Sequence, residues 1–318
     1  MKAVAQSLFS ISLISGAIAF LVGCSAKNIE TITQENGEVW PAKITMALTP
    51  SQDDPEGRVT RFTQLSDYIA SQIGIEVELI PATNYGPVIE AMRADKIDIA
   101  QGGSFMYMIA YEKAGVEAIA TRGSLDGTRN HYSTLIATSP ETGITSMEDL
   151  VAGAENYTMG FVDAASTSGH LVPRGYFESR GLNPEEIFRE VVFTQTHLNA
   201  VMAAVAAKVD ASAINERTYS RFIRDGRIKP EELIVLWESE NIPTSPVFVR
   251  KELPVGLKKA IQEAYINLHL RAPDLMEDFR YRAMRPEMIW VSATDDMWDD
   301  LRKIAYNIDT MTLLSGSN

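Results

Sequence analysis

Three consecutive hydroxyl side chains, Ser166, Thr167 and Ser168, follow the strand-like run Thr158 to Val162 and open a helical pattern that continues through Gly169-His170-Leu171-Val172-Pro173. A hydroxyl donates one hydrogen bond and accepts two. The first turn of a helix adds backbone N–H groups without intrahelical partners and the positive end of the helix dipole. Donors gathered in this way suit a tetrahedral oxyanion. One Ser or Thr is enough to cap a helix, so the spacing alone leaves capping and anion binding both open.

Two further helix starts have similar chemistry, Asn84-Tyr85-Gly86-Pro87 and Gln101-Gly102-Gly103-Ser104. Glycines let a ligand approach the backbone, and Pro87 near a helix start removes an N–H that has no partner there. Either is also an ordinary strand-to-helix turn. His131 precedes the run Ser133 to Thr138, and His197 opens the helix-like stretch Leu198 to Ala207, so both are candidate donors to an anion. His170 and His269 fall within helical patterns and read as packing residues, and no pair has the H-x-x-x-H spacing of a zinc helix. Ser168 with His197 resembles a nucleophile and its base, but no G-x-S-x-G elbow occurs and no third triad member stands out. No enzymatic activity, metal or cofactor is expected.

The formal net charge of -13 argues against nucleic acid as a partner. Any anion site must therefore be built locally, from oriented donors in a cleft. The single cysteine, Cys24, excludes an intramolecular disulfide and a thiolate cluster. It ends an apolar run behind Lys2, and Leu21-Val22-Gly23-Cys24 resembles the lipobox of bacterial lipoproteins. This implies a signal peptide over 1–23, export, and a lipid anchor on Cys24 at the outer or periplasmic face of the cell membrane. Residues 24–40 are polar and read as a tether.

Beyond them remain about 280 residues, room for two ordinary domains. Short apolar runs alternate with amphipathic stretches, the order of an α/β protein. Arg58 to Gln72 and Tyr85 to Ala94 carry core-type stripes. Breaks at Thr138 to Gly143 and Ser239 to Pro246 read as two crossovers. They divide the chain into a discontinuous domain, 41–138 with 244–318, and a continuous one, 139–243. Two lobes with two hinge crossovers form a clamshell that closes on its ligand, and ligands of such sheets sit beyond strand ends, at helix starts.

From about Lys43 to Leu253 the chain resembles the phosphate, phosphite and phosphonate binding proteins of ABC importers. The matching pieces are Ala82-Thr83-Asn84-Tyr85, Ile89-Glu90-Ala91-Met92-Arg93, Lys96-Ile97-Asp98-Ile99-Ala100, and Asp163 with Ser166-Thr167-Ser168-Gly169 and Leu171-Val172-Pro173. His197 with Asn199-Ala200, Val209-Asp210, and Ile242-Pro243 with Pro246 follow in order. The resemblance implies a type II periplasmic-binding-protein fold and a monomer working with a permease and its ATPase. It also implies that Tyr85, Ser166, Thr167, Ser168 and His197 hold a phosphorus oxyanion, with His131 where relatives carry an aromatic donor. Gln101 and Gly102 stand where relatives place aromatics. Arg217 and Ser245 stand where relatives that take 2-aminoethylphosphonate carry two acids. The expected ligand is therefore phosphite or a small phosphonate such as methylphosphonate, with phosphate a further candidate. The alternative reading is a lipoprotein that reports such anions to a membrane sensor kinase.

Overall fold

The computed structural model describes residues 30–49, 55–82 and 84–307, so the leader and Cys24 lie outside the described residues. Two sheets organise the chain. The first has six strands in the spatial order Met288–Ser292, Glu117–Ser124, Val247–Val249, Ile99–Gln101, Lys43–Leu48, Glu76–Pro81. The second has five: Glu190–Phe193, Thr158–Phe161, Ala211–Asn215, Thr134–Thr138, Ile234–Glu238.

Sequence pattern explains how each sheet is covered. Helix Pro55–Ile73 places Phe62, Leu65 and Ile69 on one stripe, and all three enter a core with Ile44, Met46 and Trp290 of the first sheet. In the second sheet successive residues point to opposite faces. Leu135 and Ile214 pack beneath one layer of helices with Val201 and Phe222, whereas Ile136 and Phe161 pack beneath the other with Phe177. A further apolar cluster ties the lobes together. It joins Phe105 and Met106 from the first lobe to Leu171 and Val172 from the second, and Trp298 and Leu301 near the C-terminal side close over it.

The chain crosses between the sheets twice. His131–Tyr132 and Ile242–Pro243 pair antiparallel to each other, Ile242 opposite Tyr132 and Pro243 opposite His131. These two short strands join the two sheets. On the return, Ile242–Pro243 lies between Ile234–Glu238 of the second sheet and Val247–Val249 of the first. The outward crossing lies earlier than residue 138. Thr134–Thr138, assigned on sequence to the first domain, is an inner strand of the second sheet, held antiparallel between Ala211–Asn215 and Ile234–Glu238. The Thr138 to Gly143 break is instead a 3-10 turn inside the second lobe, capped by Ser139, whose Oγ accepts from the Glu141 N–H at 3.3 Å. Polar turn chemistry looks the same in a hinge and in a turn.

The expected tether is also shorter than 24–40. Thr31–Thr33 and Val39–Pro41 pair as an antiparallel hairpin. Trp40 is 8% exposed within the first-lobe core. Its Nε1–H donates to Glu38 at 2.7 Å, and Glu38 accepts the Gly256 N–H at 3.0 Å. One buried indole outweighs the polarity around it. Trp40→Ala should therefore cost about 3 kcal/mol or more of folding stability in urea unfolding, whereas a tether residue would cost nothing measurable.

Candidate anion-binding site

Between the lobes lies a cavity of about 220 Å³. Its walls come from segments that follow strand ends. They include Gln101, Gly102 and Gly103 before helix Ser104–Ala114, Gln195 to His197 at the start of helix His197–Val205, and Asn215 before helix Glu216–Arg224. Ser166, Thr167 and Ser168 line it too, and Tyr85 faces it from the start of helix Tyr85–Arg93.

The three hydroxyls are 3%, 2% and 2% exposed. Each accepts an N–H. Ser166 Oγ takes the Gly169 N–H at 3.0 Å, Thr167 Oγ1 takes the Phe105 N–H at 2.8 Å, and Ser168 Oγ takes Asn215 Nδ2–H at 3.2 Å. Because a hydroxyl has one proton, an oxygen already engaged as acceptor leaves that proton for another acceptor. Capping and anion binding are thus not exclusive, and the Ser166 oxygen caps while its proton stays available. The turn Thr167–Leu171 is a π-helical widening that runs into helix Val172–Glu178. Gly169 lets it sit against the strand, since a Cβ there would lie 2.4 Å from Val162. Gly103 lets the lobes meet, since a Cβ there would come within 3.1 Å of Thr167 Oγ1.

His197 Nε2 stands 3.5 Å from Ser168 Oγ, and its Nδ1 accepts the Asn215 N–H at 3.3 Å. The neutral ring therefore carries its proton on Nε2 and presents a donor. A base for Ser168 needs the opposite tautomer. Thr196 caps the helix, its Oγ1 accepting from Asn199 N–H at 3.1 Å. The turn before it places Gln195 at φ 70°, a left-handed conformation that costs a non-glycine residue about 1–2 kcal/mol.

His131 does not line the cleft; its neighbour Tyr132 does. The Tyr132 hydroxyl faces those of Ser168 and Thr167, and burial pushes its pKa above the ordinary tyrosine value, so it stays a neutral phenol. Arg217 lies over its ring, 4.8 Å from the centroid, and donates through Nη2 to the His131 carbonyl at 3.0 Å. Gln101, Gly102, Arg217 and Ser245 all reach the cavity wall. Arginines at 58, 61, 122, 217, 221 and 282 line it as well, and no carboxylate does among the described residues. Arg61 is paired with Asp278 at 2.7 Å. Burial, then the nearby cations of Arg217, Arg58, Arg61 and Arg221, pull Arg122 down to about 9. It remains a cation at neutral pH. Sequence reasoning missed Tyr132, Asn215 and every arginine here except Arg217.

The profile of one protein family, described as ABC transporter, phosphonate, periplasmic substrate-binding protein, matches residues 46–288. The chain belongs to this family. A phosphonates-binding periplasmic protein of Escherichia coli is 30% identical over 219 residues, 69% of this chain and 63% of that protein, so the match spans less than two thirds of the relative's length. A phosphate-import protein of Mycolicibacterium smegmatis is 26% identical over 74% of each chain. Among solved structures, the binding component of a phosphonate ABC transporter from Pseudomonas aeruginosa superposes with a TM-score of 0.74 at 24% identity, covering 87% of this chain and 89% of that one. PhnD1 of Prochlorococcus marinus, in complex with methylphosphonate, gives 0.73 at 16% identity, covering 85% and 99%. These likenesses show the two-lobed fold. The family's members are binding proteins of transport systems, and among the described residues no helix is long and apolar enough to cross a membrane.

In this member of the family the helix that follows the hydroxyl triplet rests on a buried histidine. His170 is 3% exposed; its Nδ1–H donates to the Ala164 carbonyl at 2.8 Å, and its Nε2 accepts from Arg174 at 2.9 Å. Arg174 in turn pairs with Glu178 and Glu185. Burial first, then the Arg174 cation, pull His170 from an ordinary 6.5 down to about 4. The neutral form is the folded form. Stability is full above about 6.5 and is lost as pH falls toward 4, by up to about 3 kcal/mol. Chemical denaturation between pH 7 and 4.5 should show this slope, and His170→Asn should flatten it while lowering the pH 7 baseline.

Proposed function

We propose that the chain captures the phosphorus oxyanion of phosphite or a small phosphonate such as methylphosphonate, with phosphate a further candidate, between its lobes, and delivers it to an ABC permease and its ATPase. The observation that carries this reading is the wiring of Ser166, Thr167 and Ser168, each accepting an N–H and left with one O–H proton to turn toward an acceptor, for which the Tyr132 oxygen competes at Ser168 and Thr167. His197 Nε2–H adds a donor from the same lobe. Tyr132 adds one from the strands that join the sheets, and the open N–H groups of the helix start add more.

Four or five charge-assisted hydrogen bonds at about 1.5–3 kcal/mol each give about 6–15 kcal/mol gross. After binding costs, that accords with capture near micromolar, about -8 kcal/mol. Arg217 and Ser245 supply no acid for an ammonium group, so 2-aminoethylphosphonate meets a cation where it needs an anion. Cys24 is proposed as the lipidated residue that keeps the exported protein at the membrane, on the strength of Leu21-Val22-Gly23-Cys24.

Calorimetry on the purified full chain tests the reading. Phosphite or methylphosphonate should bind near micromolar and 2-aminoethylphosphonate far more weakly. Ser168→Ala should weaken phosphite binding about 10- to 150-fold. Unchanged affinity in a variant lacking all three hydroxyls would make the triad a cap and nothing more.

A further inference from the structure

A phosphorus oxyanion held by the triad does not fill this cleft or its charge. At about 30 Å³ per water-sized group, the four heavy atoms of phosphite leave roughly half of the 220 Å³ open. The open part is cationic. Arg122 and Arg217 each have Nε buried with no hydrogen-bond partner, and neither forms an ion pair with a carboxylate among the described residues. A buried guanidinium N–H left without an acceptor, on a cation without a carboxylate beside it, is costly unless an anion arrives to meet it. Tyr132 connects the two ends, its hydroxyl toward Ser168 and Thr167 and its ring beneath Arg217. Arg122 follows from the neighbouring strand Glu117–Ser124, its guanidinium 5.7 Å from the Trp290 ring centroid. The arginines are therefore continuous with the triad, not a separate surface patch.

We propose that the preferred ligand carries a second acid group on a short arm beside its phosphorus head, and that Arg122 and Arg217 receive that group. The proposal rests on the capture reading above and narrows its ligand class. A planar guanidinium presents paired N–H donors that match the two oxygens of a carboxylate and also fit a second phosphonyl group. Both sources share the chemistry. An ammonium arm, by contrast, would face these cations.

Calorimetry on the full chain with phosphonoacetate, ethylphosphonate and methylenediphosphonate separates the outcomes. Ethylphosphonate has the carbon arm without the acid. Phosphonoacetate should bind about tenfold or more tightly than ethylphosphonate, and methylenediphosphonate shows whether a second phosphonyl serves as well as a carboxylate. In Arg122→Gln the ratio of the two dissociation constants should fall toward one, and a melting temperature at or above the parent's shows that the variant is folded. Equal affinity of the parent for phosphonoacetate and ethylphosphonate overturns this inference while leaving phosphonate capture intact. So does an Arg122→Gln variant in which both ligands weaken equally, because the arginine would then serve the head. Failure to bind any phosphorus oxyanion overturns both readings.

Discussion

An anion that leaves water for a cleft loses its hydration shell at the moment of binding, and only donors already in place compensate for that loss. On the proposed reading, the triad meets this constraint by being wired when the lobes come together. Ser166, Thr167 and Ser168 are fixed by N–H groups from a helix turn, from the other lobe and from Asn215. Within the closed cleft their orientation costs nothing further. The segments that carry Gln101 to Gly103, Ser166 to Ser168, His197 and Asn215 each lie at or just beyond a strand end and lead into a helix start, whereas Tyr132 lies on the short strand His131–Tyr132. His197 holds its donor tautomer, its Nδ1 occupied by the Asn215 N–H. His170 is held neutral behind the triad and cannot bring a competing proton to it near neutral pH.

Thr167 belongs to both lobes at once. It sits on the second lobe, yet the N–H that fixes its oxygen comes from Phe105 on the first. Opening the cleft would release that oxygen and with it the aim of the hydroxyl proton. Closure and donor organisation are therefore one event. Around this contact the junction between the sheets is tied by backbone as well as side chains: Ser104 Oγ donates to the Pro243 carbonyl at 3.0 Å, and Trp298 Nε1–H donates to the Thr244 carbonyl at 3.3 Å. The two sheets are joined through the short paired strands His131–Tyr132 and Ile242–Pro243.

What was legible in the sequence was local. Strands bounded by turn residues, amphipathic helices and a triplet of hydroxyls at a helix start all announce themselves within a dozen residues, and Ser166 to Ser168, His197, Tyr85, Gln101, Gly102, Arg217 and Ser245 do reach the cleft. His131 fails by one position. In an extended strand a single step reverses the face, and Tyr132 holds the inward one. The arginines fail for a different reason. Arg122 lies on Glu117–Ser124, a strand unrecognised in the sequence, whose pairing partners are Val247–Val249 and Met288–Ser292, far away along the chain. Arg58 and Arg61 look like the solvated side of an amphipathic helix. Only the fold shows that this side of the helix faces the cleft.

The same separation explains how an acidic chain houses a basic site. Formal charge sums to -13 over the whole molecule, but exposed charges are screened over about 8 Å at physiological salt, so the exterior does not decide the potential inside a cleft. Within it, lower polarisability strengthens each guanidinium's field. The mutual repulsion of Arg122, Arg217, Arg58, Arg61 and Arg221 is what pulls Arg122 downward beyond the effect of burial. An extended polyanion must lie along the acidic exterior and is repelled. A small anion inside the mouth would meet arginines, hydroxyls and amides, with no carboxylate among the described lining residues. On the proposed reading, the net negative charge and the arginine-lined cleft together favour small anions over extended ones, which neither alone would do.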